Sequence, residues 1–122
     1  MRKRHLEILL SSLKTIPIPK LRFEEYTLDP QSASTILYTA FSQGDVQGRK
    51  VVDLGSGAGI LSIGAAILGA RYVVGIEIDR DSIKTALDNM NGSNVKVEFV
   101  CGSIECMRGF FDTTIMNPPF GS

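Results

Sequence analysis

The chain has no tryptophan, one histidine and two cysteines among its 122 residues, and each scarcity removes a class of chemistry. With His5 as the sole imidazole, the composition argues against histidine-based acid–base catalysis, and a solvated helix position is its expected place. Cys101 and Cys106 are too few and too close for a disulfide framework. No second cysteine pair offers zinc ligands, so no metal site is expected, and both thiols should be reduced and at least partly buried. No apolar stretch approaches the roughly 20 residues that span a bilayer, and no signal peptide opens the chain. Thirteen basic residues balance thirteen acidic ones, which argues against a surface plastered with phosphate contacts. There is no internal repeat and no low-complexity linker. A hydrophobic content of 43% fits one globular unit, soluble and expected in the cytoplasm.

Two motifs stand out against this plain background. The first is Asp53-Leu54-Gly55-Ser56-Gly57-Ala58-Gly59, between the β-branched run Lys50–Leu54 and the apolar, helix-forming stretch Ile60–Leu68. Glycines on a strand-to-helix turn let a ligand approach the backbone closely. A dinucleotide loop of the G-x-G-x-x-G type requires glycine where Ile60 stands, which disfavours an NAD-binding domain. Glu77 closes a second strand, Tyr72 to Ile76, twenty residues after Gly57, where a carboxylate can take both ribose hydroxyls of a nucleoside. Asp53 would repel a pyrophosphate but suits a ligand bearing an ammonium and a sulfonium. S-adenosylmethionine is that ligand.

The second motif is Asn117-Pro118-Pro119-Phe120, directly after Asp112–Met116, which reads as a short buried strand. Neither proline can donate to a strand ladder, and both fix φ, so the strand must end in a rigid, extended loop. Such a loop suits a planar base with an exocyclic amine. The Asn117 side-chain oxygen and the Pro118 carbonyl can accept the amine hydrogens while Phe120 stacks on the ring. A cofactor loop together with an amine-gripping loop implies methyl transfer to nitrogen.

The remaining pattern alternates strand and helix, which predicts an α/β, doubly wound, Rossmann-like sheet. Strands are expected at 50–54, 72–77, 95–100 and 112–116, the third alternating Val95, Val97 and Phe99 with Lys96 and Glu98. Leu6, Leu9, Leu10 and Leu13 recur at helical spacing, with Pro17 and Pro19 beyond them to end the helix. Six basic residues in 1–22 face Glu7 alone, so this helix is either a solvated cap or an RNA-backbone contact. Asp29 and Pro30 open a second helix with Ala33, Ile36, Leu37, Ala40 and Phe41 on its apolar face, ended by Gly44-Asp45. Asp79 or Asp81 can cap a third through Ser82, Ile83, Ala86, Leu87 and Met90, stopped by Asn91-Gly92.

With these residues in view, the sequence resembles the class I S-adenosylmethionine-dependent methyltransferases. Within them it is similar to the archaeal and eukaryotic enzymes that methylate adenine N6 in small-subunit ribosomal RNA. The resemblance runs from Pro19-Lys20-Leu21 and Glu24-Glu25-Tyr26 through Asp53–Gly64 and Val74–Asp79 to Ile115–Gly121. It implies a larger, mostly parallel sheet with the strand before Asn117 near its middle, so these residues are expected to form the N-terminal part of a longer domain. It also implies a lid over the cofactor from 24–28, including Glu25 and Leu28. The cofactor set becomes Glu25, Leu28, Asp53, Gly55, Ser56, Gly57, Ala58, Gly59, Ile60, Glu77, Ile78, Ser103 and Ile104. Many relatives carry Asp where Ser103 stands; a hydroxyl accepts the cofactor's adenine amine more weakly, and Glu105 or the Ile104 N–H are the alternatives. RNA is the implied partner, with a small activator subunit as in eukaryotic members. Guanine N2, a protein glutamine amide and a non-catalytic RNA-binding or partner-stabilising subunit stand as other readings.

Overall fold

The computed structural model describes residues 1–15, 28–104 and 109–116. Its elements are α1 (Lys3–Ser11), α2 (Pro30–Ser42), β1 (Lys50–Leu54), α3 (Ile60–Ile67), β2 (Tyr72–Glu77), α4 (Arg80–Ser93), β3 (Glu98–Cys101) and β4 (Thr113–Met116). The four strands form one parallel sheet in the order β3-β2-β1-β4. The chain thus steps outward from β1 to β2 and β3 through α3 and α4, then returns to the other side of β1. Neighbouring crossovers diverge between β1 and β4, and in such sheets ligands sit beyond the carboxyl ends of the strands at this divergence. The expected α/β sheet is the one observed.

Alternation along the strands divides the core in two. Val51, Val73 and Ile115 face Leu6 and Leu10 of α1, Ala33 and Leu37 of α2, and Leu61, Ile63 and Ala65 of α3. Val52, Val74 and Ile76 form a smaller cluster with Leu54 and Phe111. Burying each large aliphatic side chain of the first cluster contributes about 1.5–3 kcal/mol. Helices α2 and α3 approach closely at Gly64, where a Cβ would lie 2.2 Å from Leu37 Cδ1.

Element ends show where local signals held and where they did not. Asp29 caps α2, its Oδ1 accepting the Ser32 N–H at 2.7 Å, with Pro30 in the first turn as expected. Asp79 rather than Asp81 caps α4, through the Ser82 N–H at 3.1 Å. That helix does not stop at Asn91-Gly92 but runs to Ser93, because Asn94 supplies the left-handed terminator at φ 57°. Ser34 is buried on α2 where Ile36 was expected, and Ile36 is exposed. Likewise Leu6 and Leu10 of α1 are buried while Leu9 is exposed. Helix α1 ends at Ser11, ahead of the prolines, which lie among the residues not described. The third strand starts at Glu98, not at 95: the Val97 N–H points to Met90 Sδ at 3.2 Å instead of a strand partner. In β4 only Ile115 is buried, because that strand forms the edge of the described sheet. Cys101 is exposed, contrary to expectation, since it sits at the end of the opposite edge strand, while His5 is exposed as expected.

Candidate cofactor and active site

At the carboxyl end of β1 the chain turns sharply enough to need three left-handed glycines, with φ of 76° at Gly55, 53° at Gly57 and 87° at Gly59. The turn is pinned to the neighbouring strand: the Gly55 and Ser56 N–H groups both donate to the Ile76 carbonyl, at 2.8 and 3.0 Å. It closes on itself where the Gly59 N–H donates to the Ser56 carbonyl at 2.8 Å, one residue before α3 begins. Gly59 also faces Phe99: a Cβ there would lie 2.8 Å from the ring and 3.2 Å from Ala86 Cβ.

The loop walls a cavity of about 270 Å³. Asp53, Gly55, Ser56, Gly57, Ala58, Ile60 and Leu61 line it, together with Leu10, Ser11, Leu13, Lys14, Thr15, Leu28 and Pro30 from the N-terminal segments. Asp53 is 1% exposed, and its Oδ2 accepts the Ser62 hydroxyl at 2.6 Å. Its Oδ1 and the Ser56 hydroxyl are buried with no hydrogen-bond partner among the described residues. Burial pushes the Asp53 carboxyl up to about 6, against the opposing Ser62 hydrogen bond, and the Glu77 charge adds to the rise. A buried carboxylate oxygen without a donor and a buried hydroxyl without a partner, both on residues that line one cavity, suit a polar, cationic ligand.

Glu77 sits at the end of β2 and stands outside the cavity wall. Its Oε1 accepts the Gly57 N–H at 2.8 Å and its Oε2 the Asp79 N–H at 3.0 Å. A carboxylate offers about four lone-pair directions, so two remain for further donors. The Gly102 N–H donates to the Glu77 carbonyl at 2.9 Å, which brings the Cys101–Ile104 turn alongside. Ser103 and Ile104 therefore gather at the β2 end with Glu77 and Ile78, whose side chain is exposed, as is that of Ile104. The sequence-predicted residues thus divide into a cavity group (Asp53, Gly55, Ser56, Gly57, Ala58 and Ile60 with Leu28) and a strand-end group at 77–78 and 103–104, while Gly59 packs against Phe99 and does not line the cavity. Gly57 connects them. Glu25, Glu105 and Asn117-Pro118-Pro119-Phe120 lie outside the described residues.

Leu28 lines the cavity as expected, but Ser11, Lys14 and Thr15, at and beyond the end of α1, were not anticipated, because nothing in their identity marks them as lining residues. Ser62, the hydroxyl that orients Asp53, was not anticipated either, although a serine nine residues after the acid, on the first turn of the following helix, was a legible signal.

A parallel sheet with this switch point, a glycine loop after β1 and an acid at the end of β2 is the architecture of the class I methyltransferases. Residues 35–117 match the family model described as ribosomal protein L11 methyltransferase (PrmA). The chain belongs to this family. The rRNA N(6)-adenosine-methyltransferase METTL5 of Danio rerio is 39% identical over 100% of the chain, which covers 62% of that protein. The crystal structure of a candidate RNA methyltransferase from Pyrococcus horikoshii superposes with a TM-score of 0.89 at 39% identity, over 100% of this chain and 60% of that one. The tRNA (uracil-54, C5)-methyltransferase of Pyrococcus abyssi, solved with S-adenosyl-L-homocysteine, gives a TM-score of 0.67 at 27% identity, over 90% of this chain and 27% of that one. The chain spans about 60% of the length of the first curated relatives it matches.

Proposed function

We propose that the protein transfers a methyl group from S-adenosylmethionine to the N6 amine of an adenine in RNA, ribosomal RNA in particular. One observation carries the choice of acceptor. Similarity to the rRNA N(6)-adenosine-methyltransferase extends over the whole chain, including the segment ahead of residue 35 that the PrmA model leaves unmatched. The cofactor itself is supported by the polar atoms left unpartnered at Asp53 and Ser56, which suit the amino-acid end of such a ligand.

When bound, the cofactor supplies an electrophilic methyl group on a sulfonium. Asp53 Oδ1 would hold its ammonium, the glycine loop would lie against its amino-acid end, and Glu77 would take its ribose hydroxyls. Ser103 or the Ile104 N–H would recognise its adenine, and Leu28 with Glu25 would cover it. On the acceptor side the Asn117 oxygen and the Pro118 carbonyl accept the two amine hydrogens. An aromatic amine is a poor nucleophile because its lone pair is delocalised into the ring; these two bonds favour a pyramidal nitrogen whose lone pair is free to react. Pro119 keeps the loop rigid and Phe120 stacks on the unpaired base, offsetting part of the unstacking cost. Positioning supplies most of the acceleration, and the amine loses one proton to water as its new N–C bond forms.

Replacing Asn117 tests this reading. In the full-length protein, Asn117→Ala should slow single-turnover methylation of an adenine-containing RNA by on the order of 10²–10³ while S-adenosylhomocysteine binds nearly as before. Robust methylation by that variant would remove the loop from the chemistry. A second reading, a protein acceptor, draws on the PrmA match itself, and the same assay with a ribosomal protein in place of RNA separates the two.

A further inference from the structure

We infer that Asn89 is a positioning residue for this cavity: its side-chain amide fastens the segment after α1 to the glycine loop and so holds two lining segments in register. Asn89 lies on α4, outside the cavity wall, and is 5% exposed. Its Nδ2 donates to the Ala58 carbonyl at 2.9 Å on one side. On the other, the same nitrogen donates to the Lys14 carbonyl at 3.0 Å and Oδ1 accepts the Lys14 N–H at 2.7 Å. Lys14 and Ala58 both line the cavity, and their carbonyls meet at this one nitrogen.

Only a primary amide of this length supplies one acceptor and two donors in this arrangement. An aspartate keeps the bond from the Lys14 N–H but turns its carboxylate against two carbonyls. A leucine loses all three bonds and leaves those backbone groups without their partners. Lys14 Nζ also reaches Asp88 at 3.5 Å, but that pair joins two largely exposed side chains and contributes little. Leu10 and Leu13 pack the segment against the core, and the bidentate grip on the Lys14 peptide groups adds the directional polar link that ties its backbone to the loop. Nothing in the methyl-transfer chemistry requires Asn89 itself; it acts through the wall it holds.

The inference rests on the reading that the cofactor occupies this cavity, and calorimetry with S-adenosylhomocysteine on the full-length protein separates the two. Wild type, Asn89→Leu, Asn89→Asp and Val46→Ala are compared, the last removing part of a fully buried core side chain away from the cavity. Both Asn89 variants should bind about tenfold or more weakly, with amide exchange accelerated at Lys14 and Thr15. Their KM for the cofactor should rise while kcat at saturating cofactor stays near wild type. Val46→Ala should lose thermal stability yet bind as wild type does. Should Asn89→Leu fail to fold, Asn89→Asp decides, since it keeps one of the three bonds. Folded Asn89 variants with wild-type affinity, or equal weakening in Val46→Ala, would overturn the positioning role. A wild type that does not bind would instead overturn the cofactor reading.

Discussion

Glu77 Oε1 accepts the Gly57 N–H at 2.8 Å, so the acid at the end of β2 and the glycine turn after β1 are one unit across twenty residues of sequence. The same carboxylate holds the Asp79 N–H at the start of α4. Removing it unties the turn and withdraws the proposed ribose acceptor together. Glu77→Ala should weaken S-adenosylhomocysteine binding by roughly 1–3 kcal/mol, with Glu77→Gln losing less because it keeps one acceptor oxygen. Calorimetry on both variants is the check, and unchanged affinity in the alanine variant would take Glu77 out of the site.

Asp53 makes stability depend on pH. Its folded-state value of about 6 lies above the ordinary 3.8 because burial disfavours the charge. A raised folded value means that the protonated carboxyl stabilises the fold below about pH 4, and that this contribution is lost as pH rises through about 6. Above that pH the charge costs on the order of 2–3 kcal/mol in the cofactor-free protein. Asp53→Asn should therefore raise the unfolding midpoint at pH 7.5 and leave it nearly unchanged at pH 4. A ligand ammonium reverses the preference, so cofactor binding to wild type should release a proton below pH 6, visible as a buffer-dependent heat of binding. Equal effects of the substitution at both pH values would contradict the assignment.

Gly59 joins loop to helix under two constraints. Its φ is 87°, and a Cβ would press 2.8 Å from Phe99 Cζ and 3.2 Å from Ala86 Cβ. Gly59→Ala should cost about 2–4 kcal/mol, strain and overpacking together, measured by urea denaturation. In a Phe99→Leu background the overpacking part should shrink while the φ part persists. A loss below about 0.5 kcal/mol would show that the turn relaxes freely.

These relationships were unequally visible beforehand. The parallel α/β order could be read because Val51-Val52 and Val73-Val74 are β-branched runs separated by an apolar helix, a pattern that does not suit other architectures. The turn and Glu77 could be read because glycine spacing and the distance to an acid are sequence quantities. Helix limits were less legible: Asn91-Gly92 has the composition of a stop, yet Asn94 adopts the left-handed conformation that ends α4. Strand β3 was misjudged because Val95 and Val97 alternate like a strand while packing into the core. Ser11, Lys14, Thr15 and Asn89 had no local signature at all. An amide on α4 that binds Lys14 is a contact across 75 residues, and only the fold brings its partners together.

The most direct measurement of the central claim is a nucleoside analysis of the reaction product. The full-length protein is incubated with methyl-labelled S-adenosylmethionine and unmodified small-subunit ribosomal RNA, the RNA is digested, and the labelled nucleoside is identified by mass spectrometry. Label should appear in N6-methyladenosine, be lost in Asn117→Ala and be reduced in Phe120→Ala. Label in N2-methylguanosine, or no label in RNA alongside methylation of a ribosomal protein, would contradict that claim.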